Sequence, residues 1–302
     1  MIDSIFNVLK PPGMTSHDVV SAMRKILQTK KVGHGGTLDP MAAGVLPVFV
    51  GKATRLLEYA LEGSKAYRAI ITFGSQTDTG DEEGEIIATS EVVALSRETL
   101  VEVLRSFEGE GKQIPPMYSA IKVQGQKLYK LARQGVEIER EPRAIHIHSL
   151  QLVEYTGKQL IVDVECSKGT FIRTLSEDIA RAFGMVGTMS FLLRYRVGEF
   201  QLTTAHTLEE IAEDYEKCGL PMELAIGHLP VLEVSGWQGM RIAQGVATTI
   251  SGIDEGKYYK VVTNEGLLIG VGFAKEGRLK GHKIINIPKK EEVGIHEDTN
   301  QC

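Results

Sequence analysis

Short strand-like runs separated by turn-rich stretches, with a few amphipathic helical patterns among them, constrain this chain most. Residues 5–9 (IFNVL) read as a buried strand stopped by Lys10-Pro11-Pro12-Gly13. Thr15-Ser16-His17-Asp18 then predicts a helix start, with Thr15 or Ser16 as N-cap and Val19, Val20, Met23, Ile26 and Leu27 as the apolar face. Ala66 to Phe73 alternates in part and reads as a strand, and Leu95 to Phe107 reads as a helix. Ile145 to Val153 and Leu160 to Cys166 read as strands around Tyr155-Thr156-Gly157-Lys158. Thr170 to Phe183 is helical through Ile172, Leu175 and Ile179, and Phe191 to Phe200 is a further strand carrying Arg194 and Arg196. Glu209 to Glu216 reads as an acidic, solvated helical face. Strands and helices in this mixture predict an α/β fold of the α+β kind. From about Leu229 short strand-like runs alternate with glycine turns, which predicts a small β-rich domain at 229–290 after a larger one at 1–228. The chain's 302 residues suit two domains. The polar end, Lys289 to Cys302, reads as a disordered tail, taken as 291–302.

Several function classes drop out. The formal net charge of -5 advertises no global basic field, although local basic clusters matter more for RNA than the sum. The N-terminus lacks a basic region followed by a long apolar stretch, and no run approaches the ~20 apolar residues of a membrane helix. Three widely spaced cysteines, Cys166, Cys218 and Cys302, argue against a disulfide framework and a cysteine zinc site. A cytoplasmic location with no membrane contact is therefore expected.

The sequence contains no P-loop, and "GHGGTL" has Leu38 where a dinucleotide fingerprint needs its third glycine. The acidic run Asp78, Asp81, Glu82, Glu83 misses the EF-hand spacing and reads as a solvated turn, so no metal is expected. By local rules Asp39-Pro40 is a helix start, with aspartate as N-cap and proline in the first turn. Two features favour chemistry instead. Gly33, Gly35 and Gly36 would let a ligand come close, and Pro40 restricts the backbone of Asp39. A carboxylate on such a turn can act as nucleophile or general base. Taken singly, Tyr67 reads as a core aromatic, Arg173 as a surface arginine and His34 as a turn residue. The segment from Lys112 to Arg143 is basic, with Lys122, Lys127, Lys130, Arg133 and Arg140, and interleaves Tyr118 and Tyr129. It fits either a solvated helix face or an RNA-contacting insertion.

Read together, these blocks resemble bacterial TruB-type tRNA pseudouridine synthases, which isomerise the uridine at position 55 in the tRNA T-loop. The resemblance rests on VLKPPGMTSHDVV from Val8, GHGGTLDPMAAGVLPV from Gly33, KAYRAIITFGSQTDTGDEEG from Lys65, IPPMYSAIKVQGQKLYKLARQG from Ile114 and CSKGTFIRTL from Cys166, extended by LLRYRVGEF from Leu192. It covers residues 5 to 230, and the later region resembles more loosely a PUA-type RNA-binding domain. It implies a mixed, mostly antiparallel central sheet with flanking helices, an RNA-gripping insertion at about 112–143, tRNA as partner through its T-arm, and neither cofactor nor protein partner.

The resemblance also implies roles. Asp39 matches the catalytic aspartate, Tyr67 the tyrosine that stacks on the target base, and Arg173 the arginine paired with that aspartate. Asp81 matches a second carboxylate of the network, Leu193 an apolar residue of the base pocket, and His34 a contact to displaced loop nucleotides. Phe171 stands where many relatives have tyrosine. Lys10, Lys31, Lys122, Lys130, Arg133 and Lys168 are expected on an RNA-contacting basic face. The rival reading is a non-catalytic tRNA-binding or tRNA-folding factor on the same scaffold, which has no need of Asp39 beside Tyr67 and Arg173.

Overall fold

Thr15 begins the first helix as its sequence predicts. In the computed structural model, which describes residues 2–60, 62–123 and 125–288, its side chain accepts from the Asp18 amide while the Asp18 side chain accepts from the Thr15 amide. This reciprocal cap starts α1 (Ser16–Ile26), whose Val19, Val20 and Met23 are buried against β1 (Ser4–Lys10) and β3 (Ala43–Val50). β2 (Val32–His34) lies along β3.

The remaining strands of the main sheet are β4 (Lys65–Phe73), β5 (Gly109–Gln113), β6 (Arg143–Tyr155), β7 (Gln159–Cys166) and β8 (Gly187–Val197). Among the described residues the sheet has ten strands and runs β1-β3-β8-β4-β7-β6-β5, with short pieces at 200–201, 219–220 and β2 on its flank. Neighbours are antiparallel except β3 and β8, which run parallel through Leu193↔Ala43 and Arg194↔Gly44. The mixed, mostly antiparallel α+β expectation therefore holds.

Alternation along β4 decides the two faces of the sheet. Tyr67, Ala69, Ile71 and Phe73 point into the core, where α2 (Arg97–Ser106) contributes Leu100 and Leu104 and α3 (Ile172–Ala182) contributes Leu175 and Ile179. Each such large apolar side chain contributes about 1.5–3 kcal/mol when fully buried. On the other face Arg68 is exposed and makes two hydrogen bonds to Asp163, at 2.8 and 2.7 Å.

The helix expected after Asp39-Pro40 does not form. Residues 39–42 make a turn closed by the Ala42 amide donating to the Asp39 carbonyl at 3.1 Å, and β3 follows directly. From Gly44 to Val50 every residue of β3 is buried, because strands lie on both sides of it. A continuous apolar run of this kind carries no period that separates strand from helix. Val45, Val48, Phe49 and Val50, with Pro47, tilt the balance to strand.

A second sheet begins with β9 (Val231–Val234), parallel to β10 (Tyr258–Thr263) and continued by antiparallel β11 (Leu268–Lys275) and β12 (Arg278–Ile284). Its Leu268, Val271 and Ile285 join Ile5, Phe49, Leu56 and Ile226 in one apolar cluster, so it packs on the main sheet. The expected tail at 291–302 lies outside the described residues. No helix among the described residues is long and apolar enough to cross a membrane.

Candidate active site

The site forms over the parallel β3–β8 junction, where the turn bearing Asp39 leads into β3. Three buried groups hold that turn. Lys10 is 0 % exposed and donates all three ammonium protons to carbonyls, of Pro11 at 2.8 Å, Met14 at 2.6 Å and Pro40 at 3.1 Å. Ser16 brackets Leu38, accepting from its amide at 2.9 Å and donating to its carbonyl at 3.2 Å. Arg194, also 0 % exposed, donates to the carbonyls of Val45 at 2.9 Å, Thr37 at 3.3 Å and Gly36 at 3.0 Å. Gly36 has φ 88° and turns the chain toward Asp39.

Arg173 enters from the first turn of α3. The buried Gln113 side chain positions that helix start by accepting from the Phe171 amide at 2.8 Å and donating to the Phe171 carbonyl at 3.0 Å. The guanidinium reaches both carboxylate oxygens of Asp39, Nε to Oδ2 at 3.0 Å and Nη2 to Oδ1 at 3.3 Å. It also donates to the carbonyls of Thr79 at 2.8 Å and Tyr118 at 2.7 Å, and Nε lies 3.7 Å from Asp81 Oδ2. Buried Asp81 is held in turn by the Thr79 hydroxyl at 2.6 Å and the Glu83 amide at 3.2 Å. The structure thus brings Asp39, Asp81 and Arg173 together.

The Asp39 side chain retains 31 % exposure, so one side stays open to a ligand. Burial pushes its carboxyl above the usual range, the Arg173 charge pulls it down, and the Asp81 charge adds to the rise. Tyr67 is nearly buried, its hydroxyl pushed up to about 12 by burial while the Arg194 charge opposes the shift. It is a neutral ring at physiological pH, on the Arg194 side of the sheet. His34 sits on β2 with its ring partly buried, and burial first, then the Arg194 charge, lowers its pKa. A ring of this kind is neutral near pH 7.

Three expectations change. Lys10, expected to touch RNA, is enclosed and holds Pro40 instead. Leu193, expected in the base pocket, faces away: it pairs with Arg68 on the outer face, whereas Leu192 shares the core with Tyr67, Leu38 and Ala42. The one-residue difference follows from strand alternation, which sends successive side chains to opposite faces. Gly33 and Gly35, expected to let a ligand come close, sit at tightly packed positions. A Cβ at Gly33 would meet Leu57 at 2.9 Å, and one at Gly35 would meet Phe49 at 3.2 Å.

Arg194, Ser16 and Gln113 were missed by sequence reasoning. Arg194 did leave a signal, a charged residue at a core-facing position of an apolar strand. Lys31, Lys122, Lys130, Arg133 and Lys168 are exposed, and Lys168 lies 3.3 Å from Glu62. Arg133 and Lys127 both lie over the Tyr129 ring, at 5.7 and 5.6 Å. Among the described residues no group of three or more histidines, cysteines and carboxylates could hold a metal ion.

Residues 24–172 match the N-terminal domain of the TruB family of pseudouridylate synthases, and residues 173–225 match the C-terminal domain of tRNA pseudouridylate synthase B. The chain is 50% identical over 246 residues to the tRNA pseudouridine synthase B of Alkaliphilus oremlandii, covering 81% of this chain and 82% of that one. It is 44% identical over 284 residues to that of Caldanaerobacter subterraneus subsp. tengcongensis, covering 94% and 99%. Its fold is similar to a chain of a Cbf5-Nop10-Gar1 complex, with TM-score 0.75, 28% identity and coverage of 94% and 85%. With these likenesses spanning most of its length, the chain belongs to the TruB family of pseudouridine synthases, which are isomerases.

Proposed function

We propose that the protein converts uridine to pseudouridine at position 55 in the T-loop of tRNA, with Asp39 as the catalytic group. The curated relatives bear the name of a tRNA enzyme. The observation that carries the reading is a half-open Asp39 carboxylate gripped at both oxygens by Arg173, with Asp81 behind and Tyr67 on the adjoining strand.

The reaction breaks the N1–C1′ bond, turns the uracil and joins C5 to C1′. C5 gives up its proton and N1 ends protonated, so the change is redox-neutral and the formula stays the same. Attack on C6, attack on C1′ and proton removal from the sugar each start from an ionised Asp39. Arg173 favours that form while burial and Asp81 oppose it. Drawing the uridine out of its stack costs a few kcal/mol. Stacking on the Tyr67 ring returns about 1–3 kcal/mol, and Leu192 and Leu38 supply apolar walls beside it. His34 contacts nucleotides displaced from the loop.

The T-arm lies along the insertion at 112–143, whose exposed Lys122, Lys130 and Arg133 meet phosphates, with Lys31 and Lys168 extending the basic face. Residues 229–290 act as a PUA-like RNA-binding domain, and the protein works in the cytoplasm. Incubation with unmodified tRNA, followed by mapping of pseudouridine, tests the reading. Product at position 55, lost in Asp39→Asn with tRNA affinity retained, is expected. Full turnover by Asp39→Asn would remove that carboxylate from the mechanism, and tRNA binding without product would favour the non-catalytic reading.

A further inference from the structure

Lys65 is the cation this site leaves unexplained. The enclosed cations of the site are satisfied: Lys10 by three carbonyls, Arg194 by three, and Arg173 by two carbonyls and Asp39. Lys65 is also partly buried, yet among the described residues its ammonium makes no hydrogen bond and has no carboxylate within 4.0 Å. It opens β4 two residues before Tyr67 and so points to the same face of the sheet, about 7 Å along the strand. Its neighbours across the sheet are Cys166 on β7 and Val197 on β8, both buried.

The charges bearing on this ammonium make its isolation more costly. Arg194 and Lys168 are both positive, and Cys166 stays a neutral thiol because burial pushes it up to about 11. The carboxylate next to Cys166 on β7, Glu165, pairs with Arg196 at 2.6 Å. Burial first, and then Arg194, brings Lys65 down to about 8. A half-buried lysine among cations, unpaired and beside the ring that receives the base, is an arrangement that an incoming anion completes.

We propose that Lys65 is a substrate-binding residue whose ammonium takes a phosphate oxygen of the RNA backbone next to the uridine that enters the Tyr67 site. This rests on the reading of the site as an RNA uridine isomerase. The same chemistry fits free phosphate, and the test separates the two.

Binding of unmodified tRNA is measured in the Asp39→Asn background, which halts turnover, with Lys65, Lys65→Met and Lys65→Arg. Lys65→Met is expected to weaken binding about ten-fold and to lower the slope of log affinity against log salt by about 0.7–0.9, the value of one phosphate contact. With Lys65 present, affinity falls as pH rises through about 8, because the lysine loses its proton. Lys65→Arg holds its affinity to higher pH, and Lys65→Met shows no such step. A merely structural lysine would lower melting temperature without moving the salt slope or the pH step. Unchanged affinity and slope in Lys65→Met overturns the proposal, as does a pH step that survives in Lys65→Arg. An effect of Lys65→Met on inorganic phosphate binding alone, with tRNA binding untouched, also overturns it in favour of a free anion. Absence of pseudouridine in wild-type tRNA reactions would instead defeat the parent reading.

Discussion

Replacing Arg173 with methionine should change the pH at which the enzyme works more than its ability to hold RNA. The guanidinium is the charge that opposes the rise of the Asp39 carboxyl caused by burial and by Asp81. An opposite charge at this range lowers a carboxyl by about 1–3 pH units. The sign follows from the proposed mechanism, in which Asp39 works ionised: losing the cation raises its pKa and moves the acid limb of the rate profile up by about 1–3 units. Single-turnover rates on unmodified tRNA between pH 5 and 9 (on the order of a dozen points) define that limb. Arg173→Met should be severely slowed near neutrality and recover in part toward the alkaline end. Folding should weaken as well. Taking one partner from a buried ion pair costs about 3–5 kcal/mol, because Asp39, Asp81 and the Thr79 and Tyr118 carbonyls all lose a donor. That corresponds to a fall in melting temperature on the order of 10 °C. Arg173→Lys keeps a charge, but one ammonium cannot span four acceptors in the fork geometry, so it should rescue the limb more than the rate. A variant slowed equally at every pH, with the limb where it was, would refute an electrostatic role for Arg173.

Two other outcomes follow from packing. Leu192→Ala should destabilise the fold by about 2–5 kcal/mol in chemical denaturation and slow isomerisation, whereas Leu193→Ala on the outer face should do neither to that extent; the reverse order would restore Leu193 to the pocket. Gly44→Ala should abolish soluble folded protein, because φ there is 116° and the new Cβ would strike the Arg194 backbone at the parallel junction; a variant with a native melting curve would show that the junction can shift.

The elements legible beforehand share one property: their signal is local. The Thr15 cap, the strand at Ala66 to Phe73 and the amphipathic face of α3 each declare themselves within about a dozen residues. The same local rules misread Asp39-Pro40 as a helix start. An N-cap and a turn into a buried strand present the same two residues, and only the strands on either side of β3 separate them. Leu193 was misplaced because motif matching does not fix which of two adjacent leucines faces inward. The register of β8 against β4 does.

By itself, then, the sequence determined most element types, the family resemblance and the residues able to carry the chemistry, because those depend on side-chain identity and short-range periodicity. Tertiary structure alone decided how they meet. Arg173 reaches Asp39 across 134 residues, and Arg194 reaches Val45 across 149. It also assigned the cations to different work. Lys10 and Arg194 are enclosed and bind carbonyls, while Lys65, on the strand of Tyr67, has no partner among the described residues. A lysine or arginine has the same formula on a surface and in a core. Its role follows from the acceptors and solvent that the fold leaves around it.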